Sequence, residues 1–388
     1  DAYLVKHDNN GVFLWARSIC GAFDDVGNAI TCDNSGNVFV TGYYSSGTMV
    51  IGSTTLTNLG GTDVFVAKFD ASGNPLWAKS FGDNMIEEAN GITSDGTNIY
   101  VTGQFQSNFI NFGTGTLTCI GGGDVFVIKY DNSGNEIWGR SLGDAGLDIG
   151  YGITTKFSND IFITGSFRSA NMALATNTVT NNGGSDFFIA RYDQSGNEIW
   201  ITSAGGNFDD GGTAVHMNVF GVYVCGSFKS SIISFGAATY TNAAVNSADA
   251  FLVNYNYSGA VTWSNAYGGN FDDIPYGVTA DFMGNVFFGG HIHSSSMVMG
   301  TYTLNCNGVG DIFIAKLNLA GSLIWADNIG GLQDEGLSCL AIDANSKIFA
   351  TGFYNSSSVN FGPNILNNTG SADLYIAKLT HNPNTIEQ

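Results

Sequence analysis

Basic side chains are scarce in this sequence. Lysine and arginine together number 13 against 33 aspartates and glutamates, a formal net charge of −20 over 388 residues. A surface of that sign repels a phosphate backbone, which excludes nucleic acid as the expected partner. Long apolar runs are missing too, and no stretch approaches the roughly 20 residues that span a bilayer. No basic-then-apolar leader opens the chain at Asp1, so the expectation is a soluble chain whose export signal was removed or lies outside this sequence. Nowhere does a helical period persist. Nucleophile triads, phosphate-binding glycine loops and paired zinc cysteines are absent, and no catalytic residue is nominated. The six cysteines, Cys20, Cys32, Cys119, Cys225, Cys306 and Cys339, share no repeated interval. That argues against a disulfide framework and for small residues that are buried or half-buried.

What the chain has in abundance is glycine, 53 residues, and a hydrophobic fraction of 44%, enough for a large core. It also has a period. An aspartate followed by an apolar run recurs at Asp1, Asp63, Asp124, Asp186, Asp249, Asp311 and Asp373, at intervals of 61 to 63 residues. Fourteen residues after each of the first six stands a tryptophan: Trp15, Trp77, Trp138, Trp200, Trp263 and Trp325. A fixed period of this kind dictates the whole fold.

Within a unit, β-branched and aromatic runs bounded by Gly, Asn and Asp predict four strands. In the second unit these are "DVFVAKFD", "PLWAKSF", "NGITSD" and "NIYVTGQF". The phrase between the first two, "FDASGNPLW" at 69–77, returns as "YDNSGNEIW" at 130–138 and "YDQSGNEIW" at 192–200. It reads as a hairpin turn in which Asp bonds its own downstream backbone and Gly takes positive φ. A calcium-loop reading is weaker, because an EF-hand loop places its glycine at the sixth position and this phrase at the fourth. Four short strands per unit with one recurring aromatic describe a β-propeller blade, the tryptophans filling the space between blades. The unit is longer than common blades. An excursion after the fourth strand, such as "SNFINFGTGTLTCIGGG", accounts for the excess as a small ribbon or ordered loop.

The strings "GITSDGTNIYVTG", "FGTGTLT" and "GGDVFVIKYDNSGNEIWGRSLGDAG" resemble the secreted bacterial β-propeller repeats called SBBP and, more distantly, NHL blades. The resemblance covers residues 1 to 380 and implies a propeller in an exported protein, often of the Bacteroidetes and often followed by a type IX sorting domain. It implies no shared catalytic residue. The polar residues 381–388 would suit a tail or linker to such a domain, and the Asn-, Ser- and Thr-rich, Lys-poor composition suits an extracellular or cell-surface protein. By likeness to NHL blades "NGITSD" is the innermost strand A, followed outward by B, C and D. Six A, six B, six D and seven C strands result, one more than six four-stranded blades need. The expected fold is therefore all-β, six four-stranded blades with seven as the alternative, the ring closed by strands from both ends. One C strand, at Asp1 to Asp8 or Asp373 to Thr380, is then surplus, and an unpaired edge of that kind can pair with another molecule.

Antiparallel alternation puts the long D-to-A and B-to-C loops on one face, where binding is expected on a rigid scaffold. Approaching each A strand on that face stands an acid: Asp25, Glu87, Asp148, Asp210, Asp273 or Glu335, with a second acid before it at Asp24, Asp209, Asp272 and Asp334. Paired carboxylates such as Asp24 with Asp25, Asp209 with Asp210 and Asp272 with Asp273 are candidate calcium ligands; no other cofactor is indicated. In the structural reading each acid accepts loop amides or pairs with Lys68, Lys129 or Arg191, and repetition in every unit favours that. What differs between units follows the B-strand glycine. There stand Tyr43, Gln104, Ser166, Ser227, His291 and Phe353 at one residue past it, and Gln106, Arg168, Lys229, His293 and Asn355 among those at three past. Aromatic and amide groups suit a sugar or a peptide. His291 and His293 point the same way on one strand, a candidate metal pair or a satisfied surface pair. The expected function is a non-catalytic binding or scaffold module for protein or glycan. Alternatives are a self-assembling surface or filament subunit linked by its surplus strand, and a glycan-active enzyme.

Overall fold

The computed structural model describes residues 1–155, 160–343, 345–379 and 386–387. It is an all-β protein, a β-propeller of six four-stranded blades, each an antiparallel sheet in the order A-B-C-D. Blade 1 is Asp25–Cys32, Val38–Tyr44, Asp63–Phe69 and Pro75–Phe81; blade 2 is Glu87–Ser94, Asn98–Phe105, Asp124–Asp131 and Glu136–Leu142. Blade 3 is Asp148–Thr155, Ile161–Phe167, Asp186–Tyr192 and Glu198–Ala204; blade 4 is Asp210–Asn218, Gly221–Phe228, Asp249–Tyr255 and Val261–Tyr267. Blade 5 is Asp273–Ala280, Val286–Ile292, Asp311–Leu317 and Leu323–Ile329; blade 6 is Glu335–Ile342, Ile348–Tyr354, Asp373–Leu379 and Ile386–Glu387. The chain divides into two compact units, Asp1–Asn181 with Phe188–Ser203 and Asn182–Phe187 with Ala204–Gln388. Each excursion contains a two-stranded ribbon, as at Phe109–Asn111 with Thr116–Thr118. Among the described residues no helix is long and apolar enough to cross a membrane.

The strand census resolves at the N-terminus. Asp373–Leu379 is the third strand of blade 6, so the surplus C-type strand is Ala2–His7, which among the described residues pairs with Phe13–Ile19 alone, in a sheet of their own. Among the described residues the two chain ends therefore occupy different sheets, where a blade stitched from both ends was expected. The reason is that blade 6 finds its own third and fourth strands downstream, the fourth being the short Ile386–Glu387. Most of the predicted tail, residues 381–388, lies outside the described residues.

The repeated turn does two jobs. Within its blade, Asp70 Oδ1 accepts the backbone N–H of Ser72 and of Asn74, both at 2.8 Å, and Gly73 sits at φ 79°. Between blades it is a seat for the preceding tryptophan. Trp77 Nε1 donates to Asn132 O at 3.2 Å, and its ring lies so close to Gly134 that an added Cβ would meet ring atoms at 2.9 Å. The same pairing joins Trp15 to Ala71, Trp138 to Gln194 and Trp263 to Leu319. Lys68 and Lys129 add their ammonium groups to the same turn carbonyls, at 3.0 Å to Asn132 O and 2.9 Å to Gln194 O. These lysines are thus committed to the hairpin side and do not reach the A-strand acids, and Arg191 instead pairs with Asp160 at 2.7 Å. All six cysteines are free thiols.

The glycine of each B strand answers a bulge. The A strand shifts register by one residue opposite it, as between Gly27 and Ala29, and turns a carbonyl toward the B strand. A Cβ at Gly42, Gly103, Gly165, Gly226, Gly290 or Gly352 would collide with that carbonyl oxygen. Only a glycine fits so close a backbone approach.

Candidate functional site

Six identical anchors fix the long-loop face. The carboxylates of Asp25, Glu87, Asp148, Asp210, Asp273 and Glu335 are all buried. Glu87 accepts Asp83 N at 2.9 Å and Ser107 N at 3.0 Å; Asp148 accepts Asp144 N at 3.1 Å and both the N–H and hydroxyl of Ser169. Asp210 and Asp273 take the same bonds from Ser230 and Ser294, Asp25 from Gly21 N and Ser46, and Glu335 from Gly331 N and Ser356. Burial raises the carboxyl groups of Asp210 and Asp273 to about 6, against the pull of these bonds. The serine hydroxyls in turn accept a D-to-A loop amide, as Ser107 does from Met85 N at 3.0 Å. Each excursion is thus tied to the preceding loop. The serines stand four residues after every B-strand glycine, a regularity legible in the sequence that the offsets of one and three passed over.

The second acids serve the same loops. Asp24 accepts Ser45 N through its backbone oxygen, Asp209 Oδ1 accepts Ser185 N at 3.0 Å, and Asp272 Oδ1 accepts Ala248 N at 2.8 Å. Among the described residues no three His, Cys, Asp or Glu side chains are grouped so as to hold a metal ion.

The varying positions behave differently in the two units. In the first, Gln104 is buried and donates to Glu88 Oε2 at 2.8 Å, Gln106 bonds Ile86 O through its backbone, Arg168 is exposed, and Tyr43 is half-buried beside Glu88 and Asp24. In the second, the structure gathers a cluster. The His291 ring lies 4.7 Å from Tyr276, 5.6 Å from Phe353 and 6.0 Å from His293, centroid to centroid. His293 donates through Nδ1 to Asp272 O at 3.1 Å and places Nε2 3.4 Å from Asp334 Oδ1. Asn355 is half-buried and its N–H is spent on Asp334 O at 3.1 Å. Burial, then the neighbouring His293, lowers the His291 imidazole to about 4, so it stands neutral at ordinary pH.

Two members of this cluster escape the repeat-based reading. Tyr276 occupies the bulge of the blade 5 A strand, where blades 1, 2 and 4 carry Asn28, Asn90 and Thr213, each bonded to the next A strand. Gly336 is where a Cβ would collide with His291 Nε2, so its lack of a side chain is what admits the imidazole beside Phe353. Lys229 sits apart from the cluster, lining a cavity of about 270 Å³ with Gly184, Asn207, Phe208, Asp209 and Asn246.

No family model matches the chain. It is 22% identical over 441 residues to an uncharacterized WD repeat-containing protein of Acanthamoeba polyphaga mimivirus, covering 89% of this chain and 31% of that protein. It is 34% identical over 116 residues to the regulatory protein FlaEY of Caulobacter vibrioides, covering 29% of this chain and 12% of that protein. The chain thus spans about a third of the length of the first relative and far less of the second. Similar solved structures include a Bacteroides caccae protein of unknown function, with TM-score 0.39 and 10% identity over 75% of this chain and 79% of that one. Another is the WD40 domain of Neurospora crassa Pan2, with TM-score 0.39 and 13% identity over 84% and 85%.

Proposed function

We propose that this propeller is an extracellular, non-catalytic binding module that holds a protein or glycan ligand on its long-loop face, with His291, Tyr276, Phe353 and His293 at the contact. The observation that carries the reading is the contrast between positions. The acids and serines that repeat in all six blades are spent on holding loops, while of the side chains that differ those of blades 5 and 6 meet as a neutral imidazole flanked by aromatic rings. Such rings supply contact area at small entropic cost, and the imidazole supplies one donor and one acceptor. Export is supported by the SBBP-like strings alone. The test is binding of the purified chain to glycan and peptide arrays. His291→Ala and Phe353→Ala should each weaken any ligand found by about 10-fold or more. Unchanged binding in both overturns the assignment, and turnover of a polysaccharide by the wild type overturns the non-catalytic reading.

One observation favours a second reading, self-assembly. In the blades strand C is paired on both edges, whereas among the described residues Ala2–His7 is paired on one edge. Tyr3 is 56% exposed where its counterpart Phe65 is 0%. An edge strand with exposed apolar groups accepts another strand. Light scattering over a concentration series should then show oligomers that vanish on deleting residues 1–8; a monomer at every concentration removes this reading.

A further inference from the structure

The aspartate that opens each C strand has no role in the loop anchors. Asp63, Asp124, Asp186, Asp249 and Asp311 are each at most 3% exposed. In every one, Oδ2 accepts a backbone N–H from four to six residues upstream: Leu59, Ile120, Asn182, Ala243 and Asn307 respectively. In every one, Oδ1 is buried without a hydrogen-bond partner. Five repetitions of an orphaned carboxylate oxygen demand a physical reason, because an unmet buried charge is among the most costly features a fold can carry.

For two of the five the reason lies across the blade junction. At these two junctions Oδ1 faces the next blade's anchor acid over the glycine that follows the D strand. At Gly143 the position a Cβ would take is 2.5 Å from Asp124 Oδ1 and 2.8 Å from Asp148 Oδ2. Gly82 stands likewise between Asp63 Oδ1 and Glu87 Oε2. Gly205, Gly268 and Gly330 abut Asp186, Asp249 and Asp311, but there the nearest atoms belong to the C-strand aspartate alone. The charged and titratable groups acting on Asp63 are Glu87 and Asp83, with Tyr44 nearby; those on Asp124 are Asp148, Asp144 and Cys119. Asp249 meets Asp273, and Asp311 meets Glu335 and Cys306. Among the described residues, the charged groups that act most on these five include no cation.

Two buried carboxyl groups this close cannot both be charged. The anchor acid is the one that keeps its charge, because loop N–H and hydroxyl groups already converge on it. We propose that the Asp63–Glu87 and Asp124–Asp148 junctions each hold one proton between their two carboxyl groups, with the C-strand aspartate as the carboxylic acid. Oδ1 is then an O–H facing the neighbouring carboxylate, and the orphan disappears at these two junctions. The packing of blade 1 on blade 2 and of blade 2 on blade 3 is consequently strongest at mildly acidic pH and loosens as these protons leave. Burial raises Asp63 to about 7 and Asp124 to about 6, in keeping with the geometry. An unfolded aspartate titrates near 3.9, so the folded state holds the extra protons between about pH 4 and 7, and stability falls as pH rises through that window.

The test melts the intact chain between about pH 4.5 and 8.5, as wild type and as the Asp63→Asn, Asp124→Asn double variant. The amides keep a donor toward Glu87 and Asp148 but cannot ionise. The wild-type Tm should decline as pH rises, and the variant, which removes both titrating aspartates, should show a clearly shallower decline. Infrared spectra of the wild type near neutral pH should show the C=O stretch of protonated carboxyl groups, weaker in the variant. An equal pH slope in both proteins, or no carboxylic-acid band in the wild type, overturns the proposal. So does a Tm that tracks added calcium and chelator instead of pH, which would mean that a metal ion neutralises the pairs.

Discussion

The seat of Trp77 on the next blade's turn makes Gly134 a sharp place to test the architecture. Gly134 has φ 82°, and a Cβ there would meet the Trp77 ring atoms at 2.9, 3.0 and 3.2 Å. Gly134→Ala should carry two penalties. A left-handed backbone costs an L-residue about 1–2 kcal/mol, and overpacking against a ring that cannot retreat adds about 1–3 kcal/mol. The ring is held on its other sides by Phe39 and Tyr130, at 6.1 and 6.4 Å between centroids, and by its bond to Asn132. Gly36 supplies the control: its φ is 77°, and a Cβ there would stand 3.5 Å from Ala71 Cβ, an ordinary contact. Gly36→Ala should therefore cost only the backbone term of about 1–2 kcal/mol. Urea unfolding followed by circular dichroism gives both values. Gly134→Ala should exceed Gly36→Ala by about 1–3 kcal/mol, and the excess should vanish when both changes are made in a Trp77→Ala background. Equal costs for the two glycines in the wild type would show that the ring does not bear on the turn.

The loop anchors and the histidine cluster make further predictions. Ser169→Ala removes a hydroxyl that donates to Asp148 and accepts from Gly146 N at 3.0 Å. It should cost about 1–3 kcal/mol by unfolding and speed hydrogen exchange in the loop around Asp144. His291 is lowered to about 4, whereas an unfolded histidine takes its proton near 6.5. Its contribution to stability is therefore complete above about pH 6.5 and is lost as pH falls toward about 4. His291→Gln should flatten that acid limb while leaving the opposite slope expected from the buried aspartates, so the two effects separate in Tm-against-pH curves. If the acid limb persists unchanged in the variant, His291 is not the group that titrates.

The parts of this structure that could be read from the sequence are those in which one piece of chemistry is repeated. The 61–63-residue spacing of Asp and Trp names the blades, and Trp15, Trp77, Trp138 and Trp263 each bond a turn 55 or 56 residues downstream. The Asp-x-Ser-Gly-Asn turn was legible because Asp70 and its counterparts bond locally, two and four residues on. Its second job was hidden, since a seat for Trp15 or Trp77 depends on contacts 56 or 55 residues away. Lys68 and Lys129 were open to two readings for a similar reason. The carbonyls they bond belong to turns 64 and 65 residues downstream, in the next blade. The serine anchors were regular but ordinary, four residues past a glycine in a loop rich in serine, so nothing in composition marked them. The terminal sheets depended on the two residues Ile386–Glu387, too short a strand to leave a hydrophobic pattern.

The candidate site shows why a repeat protein hides its function where the repeat fails. At one residue past the B-strand glycine the six backbones are equivalent, each paired across to the A strand: Val26 to Tyr43, Glu88 to Gln104, Ile149 to Ser166, Gly211 to Ser227, Ile274 to His291 and Gly336 to Phe353. Reading the B-strand side alone singles out His291 and Phe353 but gives no reason for them to meet. The reason is on the A-strand side, in what is missing. Where blades 1, 2, 3 and 5 carry Val, Glu, Ile and Ile, blade 6 has Gly336, and the His291 ring occupies the room a Cβ would have taken. Adding that Cβ by Gly336→Ala, 2.1 Å from His291 Nε2 and 2.5 Å from Phe353 Cε1, should push the two rings apart while leaving both residues in the sequence. Binding should then fall as it does in Phe353→Ala, while the anchor bonds of Glu335 to Gly331 and Ser356 stay intact and hold the loop. A Gly336→Ala protein that binds as the wild type does would mean that the cluster packs the face and does not read a ligand.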